Sequence, residues 1–449
     1  MAGAAHGPLS WGQLTGNAGR GAHARVPHAA AAVALSIARR GLGARTFDSL
    51  RLHHNFRLYF AGQTVASVGQ SVQSAAQAWM VLELTHSALA VGLVAFWQFG
   101  PYTVLGLFGG ALSDRLDQRR ALMWTQAVLA LCAAALAVFA FAHERDVSLI
   151  YAVAAARGVV LVLKNPSEQA LLLRMVGRGE LANAISLNAG SMNAARIVGP
   201  GLAGLIIAAA GVGVCFALNA LSFVAVILSL ALLRRGELFP MPTRASGASV
   251  LADLGEGLAY ARRTPRVWMS LAVLAVISTL GINFGVMLPV LAAQTLHGGA
   301  EVFGLITAVF GAGALLGALL SASLGRATWS VVLASGAVFA LLEAALAPLR
   351  ALALVAPLLV ATGFAYTLYT SATNSMVQLS APDRLQGRVT GLYSWVFLGT
   401  GPLGALLSGW LSEVGGTKLV FLTAGAGGLA AAALAALALH RGVEPEGQV

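Results

Sequence analysis

In "LYFAGQTVASVGQSVQSAAQAWM", Gln63, Gln70 and Gln77 recur every seven residues, with Gln73 and Ser74 in the turn between them. Seven residues advance a helix by almost two turns, so these amides share one broad face. Such a stripe can line a polar cavity or hydrogen bond a neighbouring helix, and its setting inside an apolar run argues against contact with lipid. Further along, "AVAAARGVVLVLKNPSEQA" embeds Arg157, Lys164, Asn165, Glu168 and Gln169 in another apolar stretch. An arginine there needs a carboxylate, a carbonyl or water, and Lys164 and Glu168 stand one helical turn apart, the spacing of an ion pair. For carrying a proton Glu168 is the preferred acid, Glu83 at the outer end of the same span as the glutamines is the second choice, and Arg157 is grouped with them as a candidate for proton coupling. Asn188, Ser191, Asn193 and Arg196 precede Gly199, Pro200, Gly201 and Gly204, where small residues admit close helix approach and proline bends the chain.

The later part of the chain offers Asn283, Tyr366, Tyr369, Thr370 and Asn374, with Trp97, Gln98 and Tyr102 as earlier counterparts and Trp395 beyond them. Tyr366, Tyr369 and Thr370 are spaced by three and four positions, a wall of aromatic and hydroxyl groups that suits a bulky, partly apolar ligand. Ordinary packing or interfacial anchoring is the alternative for each aromatic. The expected cavity set is Gln63, Gln70, Gln73, Gln77, Trp97, Gln98, Arg157, Asn188, Asn283, Tyr366, Tyr369 and Asn374.

The elements that position these groups follow from composition. The 449 residues are 58% hydrophobic and 10% charged, with a mean hydropathy of +0.78, where a soluble domain carries about a quarter charged residues. Runs of about 20 apolar residues, each long enough to cross a hydrocarbon core of about 30 Å, recur from Phe56 to Leu439. They predict an all-α polytopic membrane protein with twelve spans at 57–82, 88–112, 121–142, 148–170, 186–210, 213–233, 267–292, 301–325, 329–347, 351–377, 389–411 and 418–439. Of the 28 Lys and Arg residues, 22 fall on the side of the two termini, 3 on the other (Arg145, Arg350, Lys418) and 3 within spans (Arg157, Lys164, Arg196). The asymmetry predicts both termini in the cytoplasm. The net charge of +11 is dispersed over short loops and forms no phosphate-binding face, which argues against a nucleic-acid partner. Cys132 and Cys215 lie inside apolar runs without metal spacing, and no metal or other cofactor is expected.

The longest break divides the spans six and six. The expected organisation is a disordered leader over 1–50, a first bundle over 51–233, a linker over 234–266, a second bundle over 267–439 and a tail over 440–449. Within the linker, Leu251, Leu254, Leu258 and Tyr260 with Arg262 and Arg263 predict an amphipathic helix. "VGLVAFWQFGPYTVLGLFGG" in span two echoes "FGLITAVFGAGALLGALLSA" in span eight, and "RIVGPGLAG" in span five parallels "FLGTGPLGA", with Gly401 and Pro402, in span eleven. Weak internal symmetry of this kind suits two bundles that rock about a shared cavity.

After span two comes "GGALSDRLDQRR". With twelve spans in two halves, this stretch resembles the loop between spans two and three that marks the major facilitator superfamily. Gly110, Leu112, Asp114, Arg115, Arg119 and Arg120 follow that pattern in order, with departures at Asp117 and Gln118. "HNFRLYFAGQTVASVGQ", "RGELANAISLNAGSMNAARIVGPGLAGLI" and "PDRLQGRVTGLYSWVFLGTGPLGALLSG" extend the likeness to the bacterial efflux branch that includes enterobactin and macrolide exporters. The resemblance implies two pseudo-symmetric six-helix bundles, a central cavity and transport often driven by proton exchange. It implies that Asp114, Arg115, Arg119 and Arg120, with Arg388 across the interface, gate the cytoplasmic side, and that Gly199, Pro200, Gly204, Gly401 and Pro402 form the joints. Asp114 could also accept hydrogen bonds from free amides at a helix N-terminus, whereas the arginines could instead anchor lipid headgroups.

No GxxxxGK[ST], HExxH or GxSxG occurs, so neither ATP-driven export nor a membrane enzyme is expected. The leading expectation is a monomeric secondary transporter in the bacterial cytoplasmic membrane that exports an amphipathic small molecule, such as a siderophore or drug, against protons and among membrane lipids. A lipid or lysolipid transporter of the same fold is the alternative, with a membrane enzyme or a non-transporting receptor more remote.

Overall fold

The computed structural model describes residues 47–113, 116–240, 250–324 and 328–442. Contacts divide the chain into Met1–Asp48 and Ser49–Val449, and the helical bundles belong to the second unit. The expectations for residues 1–46, Asp114 and Arg115, and the end of the tail lie outside the described residues.

Among the described residues the chain is helical and has no strand. Nine stretches are long and apolar enough to cross a membrane, and two of these are double. Ser148–Ala210 is broken at Gly177, where φ is 69° and ψ −179°, and Gly401–Gly442 is broken at Gly415 and Gly416, the latter at φ 66°. Backbone at positive φ costs a residue with a Cβ far more than glycine, so the chain turns back at these points. A twelfth helix, His54–Thr85, falls outside the apolar set because its glutamines lower its hydropathy. The result is the all-α, twelve-span architecture expected.

Spans one, five and six pack together, as do spans two and four and spans three and six; in the second half, span eight packs on ten, and nine on ten and twelve. Span seven is discontinuous. Pro265–Leu280 stops at Gly281–Asn283, Phe284–Val290 resumes, and the π turn Leu291–Thr295 ends it.

Arg235–Glu237 and Val250–Arg263 lie between the halves in sequence, and we call the side of the molecule they occupy the linker face. This segment is tied to both halves. Asn55 and Arg234 exchange two hydrogen bonds of 2.9 Å, while the Tyr260 hydroxyl donates to the Ser380 carbonyl and Arg388 pairs with Glu256.

The halves meet along two seams, span two with span eleven and span five with span eight. Lipid gives helices no hydrophobic reason to associate, so close van der Waals contact between small residues does the joining. A Cβ on Gly92 would stand 2.5 Å from the Ala405 carbonyl oxygen, one on Gly204 2.7 Å from that of Ala300, and one on Gly409 2.8 Å from that of Ala88. These contacts all lie away from the linker face. There too, Trp79 of span one stacks on Phe303 of span eight at 5.6 Å. Nearer the linker face, among the described residues, no other helix comes within 4 Å of the position a Cβ on Gly190 of span five or Gly391 of span eleven would take. The molecule is closed on its far face.

Candidate functional site

The glutamine stripe of span one organises the first half. Gln63, Gln73 and Gln77 are buried and Gln70 is half-buried. Asn219 of span six donates its amide to Gln73, and Ser222 donates to Asn219 at 3.0 Å. Arg157 of span four, 6% exposed, donates to the Gln77 side-chain oxygen at 3.0 Å. Among the described residues no carboxylate pairs with this buried guanidinium, so its charge is chemically able to hold an anionic group that reaches it. Gln73 and Gln77 thus join helices within the half.

Closer to the linker face, Lys164 and Glu168 pair at 2.8 Å, with side chains 7% and 13% exposed. Tyr59, four residues before Gln63 on the same stripe, donates its hydroxyl to the other Glu168 oxygen at 2.9 Å, and the Asn188 side chain of span five stands close by. Three spans therefore converge on one carboxylate, which the sequence singled out without Tyr59. The signal was present in the 59, 63, 70, 77 spacing. Nearby, Ser191 donates to Thr64 at 2.8 Å, a second polar tie between spans one and five.

In the second half, Phe284, Phe310, Phe339 and Tyr366 form an aromatic cluster with ring centroids 4.2 to 6.1 Å apart. Tyr366 lies close enough to Arg196 of span five for the two to interact electrostatically across the halves. Arg196 is exposed, as is its neighbour Asn193. Tyr393 of span eleven donates to the Thr370 carbonyl at 3.1 Å and stacks on Phe397. Arg196 and Tyr366 thus set a cation and an aromatic ring within electrostatic reach of each other across the halves, a pair that can suit a ligand with both anionic and apolar parts.

Other expected cavity residues are placed differently. Tyr369 is fully buried, and its ring packs 3.0 Å from the Cβ position of Gly336 in span nine. Three positions along a helix rotate a side chain by about 60° in the reverse sense, enough to take Tyr369 to a different neighbour from Tyr366. Asn283 donates to the Thr279 carbonyl at 2.8 Å at the break in span seven and packs on Gly404. Asn374 accepts from Gln378 one turn on, at 3.0 Å. Trp97 is 43% exposed, and the carbonyl of Gln98 lies directly against the Cβ position of Gly158, so span two lies flush against span four.

Of the gating set, Arg119 donates to the Leu230 and Ala231 carbonyls at 2.6 and 2.7 Å, satisfying the end of span six in its own half. Asp117, the departure from the family pattern, caps span three by accepting from the Arg120 amide at 2.8 Å, and the Arg120 side chain is exposed. Arg388 engages the linker helix through Glu256. Gly199, Pro200 and Gly204 lie along span five, with Gly199 against Ser71 of span one, and Gly401 and Pro402 follow a kink at Thr400, whose hydroxyl is 2.6 Å from that of Ser278 in span seven. Glu83 is exposed on the far face, where it lines a cavity of about 410 Å³ with Trp79, His86, Gln294 and His297.

The family profile described as "Transmembrane secretion effector" matches residues 44–446. The chain is similar to the multidrug efflux pump Tap of Mycolicibacterium fortuitum, 29% identical over 81% of this chain and 90% of the relative. It is 24% identical to the enterobactin exporter EntS of Salmonella typhimurium, over 81% and 87% respectively. Among solved structures, a bacterial homologue of the human lysosomal transporter Spinster superimposes with a TM-score of 0.65 at 12% identity, covering 86% of this chain and 95% of that one.

Proposed function

This chain belongs to the transmembrane secretion effector family of the major facilitator superfamily, and from that premise we propose that it exports a bulky amphipathic compound, a siderophore or drug, in exchange for protons. The linker face is read as cytoplasmic, from the arginine asymmetry, and the membrane as the bacterial inner one. The observation that carries the reading is the closure of the far face: the glycine contacts draw span two to span eleven and span five to span eight there, while Arg196 and Tyr366 lie within electrostatic reach of each other across the halves. An amphipathic molecule entering from the linker face would place its aromatic surface on the tyrosines and its anionic or polar groups near Arg196 and Arg157. Rocking would then break the far-face glycine contacts and bring Asp114, Arg119 and Arg120 towards span eleven. Each ligand group bound more tightly in one state than in the other shifts the equilibrium by that difference alone.

The proton is assigned to the Glu168 site. Lys164 and Tyr59 hold the carboxylate in the present conformation, with Asn188 of span five beside it, and a rearrangement of spans one, four and five that loosened these contacts would free the carboxylate to take up a proton. The test is uptake into liposomes of purified protein, with siderophores, lipophilic drugs and lysolipids compared under an imposed proton gradient. Gradient-dependent movement of a siderophore or drug supports the proposal. Movement of lysolipids alone would replace it with lipid transport, and chemical conversion without movement would refute it.

A further inference from the structure

Span nine, Trp329–Leu346, carries a single ionisable residue, Glu343. It is 1% exposed, its Oε1 has no hydrogen-bond partner, and it makes no ion pair among the described residues. Its other oxygen lies 2.5 Å from where a Cβ on Gly281 would stand, so the carboxyl rests directly on the glycine that opens the break in span seven. The elements packed around it supply no counter-charge at that level. Span seven carries only Arg266, at its opposite end. Span twelve has Lys418, exposed at its far end, and His440 and Arg441 at the other; span ten contributes the hydroxyls of Tyr366 and Tyr369. An apolar side chain of similar size would fill the same space without the cost of burying a carboxyl, so packing alone does not account for an acid here.

An ionised carboxylate cannot remain in such a place without a cation or several donors, and the group is neutralised instead. Ionisation therefore requires water or a donor to reach it, and movement at Gly281, against which the carboxyl rests, would admit one. The segment beyond that break, Phe284–Thr295, packs against span one, and its Gln294 lines the far-face cavity opposite Trp79 and Glu83. The break is thus the joint between the carboxyl and the far-face closure.

We propose that Glu343 is a proton-binding site in the second half, protonated while the far face is closed and ionised when span seven moves to open it. Proton uptake at Glu343 then favours closure, so acid stabilises the conformation seen here and alkali releases it. The inference rests on the alternating-access part of the proposed function and is independent of the role of Glu168.

Two readouts on the purified full-length chain test it. Infrared spectra at neutral pH are expected to contain a protonated-carboxyl band that Glu343→Gln, a neutral isostere, removes and Glu343→Asp shifts. Distances between spin labels at Glu144 and Arg350, exposed on far-face loops of the two halves, are expected to shorten on acidification in the wild type. In Glu343→Gln they should stay short at all pH values. A wild-type spectrum without the band, or a Glu343→Gln protein with an unaltered pH response, overturns the assignment. If proteoliposomes of the wild type show no substrate-linked proton flux, the exchange mechanism falls, while the band and the distances still decide the case of Glu343.

Discussion

Replacing Gly204 by alanine should weaken the closed far face by a predictable amount. The added Cβ would stand 2.7 Å from the Ala300 carbonyl oxygen and 2.9 Å from the Gly304 Cα, both backbone atoms of span eight. No rotamer change relieves such a contact, so spans five and eight must separate by several tenths of an ångström. Overpacking of this kind costs about 1–3 kcal/mol. The cost applies only where span eight lies against Gly204, so it falls on the closed state and not on the one in which this seam has opened. A bias of that size shifts the conformational equilibrium about 5- to 150-fold. The same Glu144 and Arg350 labels, in a background lacking Cys132 and Cys215, read the shift directly as growth of a longer-distance population. Gly304→Ala acts on the same contact, because its Cβ would meet the Gly204 Cα at 2.9 Å and the Pro200 carbonyl at 3.2 Å. The double variant should therefore fall short of the sum of the single ones. Unchanged distance distributions in Gly204→Ala would refute the view that this seam holds the far face shut.

Other expectations follow from the polar clusters. Glu168→Gln leaves Lys164 without its counter-ion in a site where both side chains are mostly buried, and removing one partner of a buried pair costs about 3–5 kcal/mol. Its thermal midpoint in detergent should fall and be largely restored in the Lys164→Met, Glu168→Gln double variant; an unaltered midpoint in the single variant contradicts the pairing. Arg157→Ala should impair substrate turnover in a folded protein, and unchanged transport across pH would leave Arg157 only its structural bond to Gln77. Arg196→Gln should weaken binding of anionic substrates more than neutral ones, measured by competition; equal effects would remove Arg196 from the ligand site. Asp114→Asn should lower transport while preserving membrane insertion, and normal transport by the correctly inserted variant would dismiss the proposed gate.

How far the sequence could be read depended on the kind of force involved. Apolar run length is dictated by the thickness of hydrocarbon, so the twelve spans were legible. Span one was legible only through its neighbours, because the glutamines that mark it out also remove its apolar character. The Lys164 and Glu168 pair followed from helical spacing alone. Tyr59 and Asn188 at the same carboxylate required knowing that spans one, four and five converge there. Arg119 differs again: its partners are backbone carbonyls at Leu230 and Ala231, which carry no mark in the sequence. Tyr366 and Tyr369 show the limit of face arguments, since neighbouring positions on one helix meet Phe284 in one case and Gly336 in the other. Glu343 reads in the sequence as no more than an acid late in a span; its burial beside Gly281 gives it meaning.

Proton exchange is tested most directly by proton movement itself, followed with a pH-sensitive dye sealed inside liposomes while a siderophore or drug is added. The mechanism predicts flux that begins with substrate, depends on its concentration and is lost in Glu168→Gln. Substrate movement without any proton flux would contradict it and reduce the protein to a facilitator of the same fold.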